Sequence, residues 1–86
     1  MKEDMITIKK VTALEPLKDA VLSLEFSSGV TKKYDVKTLY KNFPELEDLV
    51  TWGIFHWAEI ESSKGHAVIW TPDHDISANE LWHNGY

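Results

Sequence analysis

The stretch HAVIWTPDHDISANELW, residues 66–82, gathers the side chains best suited to proton transfer or metal binding. Asp73, His74 and Asp75 stand in succession, and His56, His66 and His83 lie within a few tens of residues. Imidazole and carboxylate are zinc ligands, and a His/Asp cluster can also run acid–base chemistry near neutral pH. A metal-assisted hydrolase built on His56, His66 and the Asp73 to Asp75 turn is the enzyme such a set would make. The spacing opposes it. Successive residues of a turn point in different directions, whereas zinc ligands recur on one face, as in a helical H-x-x-x-H. The alternative is architectural: Pro72 and Asp73 suit a turn, Asp75 is placed to bond the backbone just ahead of Ser77, and Ser77 with Glu80 forms an S-x-x-E capping box at a helix start. On that reading His56, His66, His74 and His83 are partly exposed imidazoles, with no catalytic residue, metal or cofactor among them.

Other catalytic templates are missing. The chain has no G-x-S-x-G elbow, no P-loop, no G-x-G-x-x-G and no H-E-x-x-H. Cysteine is absent, which removes thiolate chemistry and disulfide staples alike. Serines fall where turns need them, at Ser27, Ser28, Ser62 and Ser63, and Glu59 with Glu61 reads as a solvated strand edge.

Tryptophan is the conspicuous excess: Trp52, Trp57, Trp70 and Trp82 in 86 residues. A core of this size does not easily enclose four such rings, and exposed aromatics concentrate at the centres of interfaces. Trp52, Trp57 and Trp82 are therefore the expected interaction surface, with self-association as a homodimer or docking of a small protein as the expected use.

Charge divides the chain. Residues 1–43 carry a net +2, and residues 44–86, with Lys64 against eight acids, carry −7. Every cation is lysine, so the side chain that grips phosphate or guanine in a bidentate fork is missing. The pairs Lys9–Lys10 and Lys32–Lys33 are the sole basic clusters, and they read as solvated strand faces. Weak nucleic-acid binding rests on them alone, so direct contact with nucleic acid is not expected.

The elements that must position these residues follow from periodicity. Ile6 and Ile8 alternate and Val11 restarts the pattern after Lys9 and Lys10, as a bulge would cause. Ala20, Leu22, Leu24 and Phe26 share one face of a strand, and Val30, Lys32, Tyr34 and Val36 continue in phase beyond Ser27–Gly29, which predicts a hairpin. Leu39, Phe43, Leu46, Leu49 and Val50 then recur at spacings of three and four, with Pro44 opening a helical turn. IFHWAEIES alternates again and, with HAVIW, predicts a second hairpin before the capped C-terminal helix. The expected fold is α+β: an antiparallel sheet of about five strands in two hairpins, with one or two short helices between them and a short C-terminal helix. Residues 1–86 fit a single domain. The longest apolar run, VTWGIFHWA, is too short and too broken to span a bilayer, so a soluble cytoplasmic protein is expected.

The strings LSLEFSSGVTKKYDV, FPELEDL and VIWTPDHDISANELW together resemble the bacterial family called domain of unknown function 2442, over Ile6 to about Trp82. The most specific part is Trp70 followed by Asp75, Ile76, Leu81 and Trp82. Asp73 departs from the pattern, standing where many relatives carry glycine; aspartate tolerates that geometry at some strain. The resemblance implies an α+β domain of meandering strands with short helices, and it assigns no catalytic residues. Relatives joined to helix-turn-helix segments, or set beside small partners in toxin–antitoxin-like pairs, imply a regulatory role exerted through a partner protein.

Overall fold

Two three-stranded antiparallel meanders make up the fold, each with its strands side by side in sequence order. The computed structural model describes residues 6–61 and 64–86; Ser62 and Ser63, read above as turn residues, lie outside these. In the first sheet β1 is Ile8–Ala13, β2 is Val21–Phe26 and β3 is Thr31–Asp35. The register of β1 against β2 shifts between Ile8 and Lys10, the bulge that the phase change predicts. The central strand alternates as its sequence does, with Leu22, Leu24 and Phe26 buried. Ala20 precedes it at φ 55, ending the 3-10 turn Leu17–Asp19 in left-handed geometry. Gly29 turns the β2–β3 hairpin at φ 96.

The middle of the chain is a run of short turns, because Pro44 and Gly53 interrupt the helical spacing. These are the 3-10 turns Val36–Leu39 and Pro44–Glu47, helix α1 at Asp48–Thr51 and the 3-10 turn Phe55–Trp57. Leu46 and Leu49 are buried, whereas Phe43 of the same spacing is exposed. The second sheet follows as β4 (Glu59–Ile60), β5 (Ala67–Thr71) and β6 (His74–Ser77), and helix α2 (Ala78–Asn84) ends it.

The α+β, antiparallel expectation holds, with six strands among the described residues divided between two sheets instead of about five in one. Two local readings are corrected. The alternation in IFHWAEIES does not make a long strand: Phe55–Trp57 coils, and only Glu59 and Ile60 pair with β5. The coil is held from the other sheet strand, because buried Trp70 donates its indole N–H to the Phe55 carbonyl at 2.8 Å and stacks on the Phe55 ring. Asp73–His74–Asp75 is likewise not all turn. Pro72 and Asp73 alone form the bend, and His74 and Asp75 pair with Thr71 and Ile69 as the start of β6.

One hydrophobic core runs through both sheets, from Leu22, Leu24, Phe26 and Tyr34 to Val68, Trp70 and Ile76, with Leu46, Leu49, Phe55 and Leu81 between. Burying side chains of this size contributes about 1.5–3 kcal/mol each. The sheets join where the Ile8 N–H donates to the Gly65 carbonyl at 2.8 Å. Gly65 sits at φ +73, and a Cβ there would lie 2.3 Å from the Ile8 carbonyl oxygen. Only glycine allows that approach.

Candidate functional site

Strand β6 borders a concavity of about 370 Å³, whose far wall is the segment from Leu39 to Leu46. Its apolar surface comes from Leu39, Phe43, Leu46 and Ile76, and its polar surface from Glu45, Asp73, Asp75, Ser77 and Glu80. Among the described residues, four carboxylates and no cation line it. Half of the eight acids of residues 44–86 thus meet at one groove.

The hydrogen-bond phase of the second sheet fixes what β6 presents to this groove. The Ala78 N–H donates to the His66 carbonyl at 2.8 Å. On the other side of β5, the Glu61 N–H donates to the Ala67 carbonyl at 2.8 Å, so Ala67 faces β4. Alternation then pairs Val68 with Ile76 through main-chain bonds and turns the peptide groups of Asp75 and Ser77 away from β5. They form the outer edge of the sheet, with no further strand beside them among the described residues.

The capping box is half made. Ser77 Oγ accepts the Glu80 N–H at 3.1 Å. The reciprocal bond, from the Ser77 N–H to the Glu80 carboxylate, is absent, because Glu80 turns instead to Tyr34 and Asn84. Tyr34 Oη donates to Glu80 Oε2 at 2.6 Å, and burial, with that carboxylate beside it, pushes the phenol well above its ordinary range. A local capping residue has become a tertiary tie between β3 and α2. Asp75 makes no bond to the backbone ahead of Ser77; its side chain is exposed on β6.

His74 is the one imidazole the sequence misplaces. It is 6% exposed, a buried residue and not a partly exposed one. Its Nδ1 lies 2.6 Å from Thr71 Oγ1, which also accepts the Asp73 N–H. Its Nε2 has no hydrogen-bond partner and lies 3.8 Å from Asp48 Oδ2, beyond hydrogen-bond reach. The Trp52 ring covers the imidazole edge-on at 5.5 Å. The other three histidines are exposed: His56 beside Trp57 in the 3-10 turn, His66 ahead of β5, and His83 in α2. Among the described residues, no three of the His, Asp and Glu side chains come together as a metal site. Asp73 is not left-handed, so aspartate in place of glycine stores no strain of that kind.

Of the tryptophans, Trp52 and Trp57 stand 57% and 53% exposed. Trp82 is half-buried, its ring edge-on to Phe26 at 4.9 Å and capped by the Lys32 ammonium at 4.5 Å. Lys32 also donates to the Trp82 carbonyl, so one of the four paired lysines is committed to helix α2. Lys9, Lys10 and Lys33 are exposed, with Lys9 3.8 Å from Glu25. The Lys32 tie was invisible in sequence, because its partner lies fifty residues away.

The model of the family described as protein of unknown function DUF2442 matches residues 11–86, nearly the whole chain. The chain belongs to DUF2442. Comparison with curated proteins and with solved structures returned no match. In this DUF2442 chain the residues that carry the sequence resemblance have definite places, with Asp75 exposed on β6. Trp70, Ile76 and Leu81 are core, and Trp82 packs against it. Among the described residues, no helix is long and apolar enough to cross a membrane.

Proposed function

We propose that this DUF2442 chain is a non-enzymatic protein-interaction module that docks a second copy of itself or a small partner protein, in a regulatory role. The observation that carries this reading is the pair Trp52 and Trp57, each more than half exposed on adjacent turns, with Phe43 49% exposed in the same helical run. A folded chain leaves large aromatic rings in water at a cost that an interface would remove. Interface hot spots favour tryptophan for the same reason. Further support comes from where the unusual residues lie: Trp70, Leu81 and Trp82 serve packing, and Ser77 caps a helix.

Light scattering on the pure protein across a concentration series, alone and with any co-purified small protein, is the test. A dimer or a defined complex is expected, and the double variant W52A/W57A is expected to dissociate it; W57A alone, which leaves the Trp52 cover on His74 in place, is expected to weaken it while unfolding within about 0.5 kcal/mol of wild type, as for surface positions. A strictly monomeric protein that purifies alone, and behaves identically with both rings removed, would overturn the reading.

A further inference from the structure

We infer that the outer edge of β6 is a docking site for an extended, lysine- or arginine-bearing segment of a partner protein, which adds to the second sheet as a further antiparallel or parallel strand. This rests on the interaction reading above and names a surface distinct from Trp52 and Trp57. Three observations converge on it. The peptide groups of Asp75 and Ser77 face away from β5. The Ser77 N–H, which a complete capping box would have occupied, is left for another acceptor because Glu80 is tied to Tyr34 and Asn84. The edge also opens on a groove rather than on flat surface, with exposed Phe43 and half-buried Leu39 available to apolar side chains above the buried Leu46 and Ile76. Strand addition draws its affinity from main-chain bonds and its selectivity from alternate side chains, and this edge offers both.

Charge selects the occupant. Glu45, Asp73, Asp75 and Glu80 line the groove with no cation among the described residues, so a segment alternating basic and apolar residues meets carboxylates with one set of side chains and the apolar wall with the other. A second copy of this chain is disfavoured at the same edge. Two β6 strands paired about a two-fold axis would set Asp73 and Asp75 of one against the same residues of the other, and like charges across a strand pair repel. The lysine-bearing edge strand β3 cannot supply the segment either, since its outer peptide groups at Lys33 are already bonded to Tyr86.

The test uses the full chain and three short blocked peptides: alternating lysine–valine, alternating glutamate–valine, and lysine–valine with alternate main-chain nitrogens methylated. Amide NMR and hydrogen exchange follow each titration. The lysine–valine peptide is expected to bind, to shift and protect the amides of Asp75 and Ser77, and to weaken about tenfold in D73N/D75N, the sum of two part-exposed charge pairs. Raised salt is expected to weaken it as well. No binding, equal binding of the glutamate peptide, or shifts confined to residues outside β6 and the groove would overturn the proposal. So would equal binding of the methylated peptide, which would reduce the effect to charge attraction without strand pairing. If the peptides fail while W52A/W57A still changes the association state, the β6 site falls and the interaction module stands; if both are silent, both fall.

Discussion

Strands β3 and β6 hold equivalent places, each the third strand of an antiparallel meander and each at a sheet edge, yet their outer faces are treated differently. Along β3 the chain closes its own edge: Lys33 and Tyr86 exchange N–H to carbonyl bonds in both directions at 2.8 Å. Lys32 secures the same region by reaching the Trp82 carbonyl and ring. Along β6 no strand follows among the described residues, and carboxylates and a groove take its place. Unpaired edges invite other chains, and proteins cover them, charge them or use them. The first sheet is covered; the second is charged, and on the proposal above, used. The central strands show the same division, since β2 has six residues with three fully buried large side chains, while β5 has five and pairs with a two-residue β4.

The largest expected difference lies between those central strands. Leu24→Ala in β2 should cost about 3–5 kcal/mol and Val68→Ala in β5 about 2–3 kcal/mol, from the volumes of the cavities they leave. Urea denaturation measures both, and equal losses would show that the two meanders share the core evenly. Next is the joint between the sheets. Gly65→Ala forces a Cβ against the Ile8 carbonyl at a positive φ, with an expected loss of at least about 2 kcal/mol; a thermal midpoint unchanged from wild type would mean the sheets do not depend on that contact.

The tie from β3 to α2 comes third. Tyr34→Phe removes a part-buried hydrogen bond to a carboxylate, worth about 1.5–3 kcal/mol. It also carries a pH signature. The folded phenol keeps its proton above the value at which the unfolded chain releases it, so the unfolded state binds fewer protons there and stability falls as pH rises. The contribution is complete below about pH 10 and declines above it by at most about 1.4 kcal/mol per pH unit. Denaturation curves between neutral pH and pH 11 should show that decline in wild type and a shallower one in Tyr34→Phe, where burial still raises the Tyr40 phenol above its ordinary value. The smallest effect sharpens the edge comparison itself. Replacing the Tyr86 codon by a stop removes both the carbonyl that accepts the Lys33 N–H and the N–H that donates to the Lys33 carbonyl, at about 1 kcal/mol each, and should speed amide exchange at Lys33 toward the rate found at Asp75 and Ser77. Unequal rates after the truncation would mean that something other than Tyr86 protects β3.

Much of the fold was legible in the linear pattern. Ala20, Leu22, Leu24 and Phe26 announce β2 because a period of two has one physical reading when it runs this long. The bulge at Lys9 showed as a change of phase, and Ser77 announced the start of α2 because a cap is a bond between near neighbours. Phe55, Trp57 and Glu59 also alternated, but over so short a stretch that the Trp70–Phe55 bond could override the pattern and coil the chain.

Composition and short-range spacing therefore determined the α+β class, the antiparallel pairing, the turn and cap chemistry of Pro72 and Ser77, and the acidic character of the second half. What tertiary structure alone decided was every choice between partners distant in sequence: His74 turned inward beneath Trp52, Glu80 diverted from its cap to Tyr34, Tyr86 laid along β3, and β6 left open above the groove. Propensity and periodicity act over a few residues, whereas these outcomes depend on which surfaces the folded chain brings together, and no local window contains both halves of such a contact.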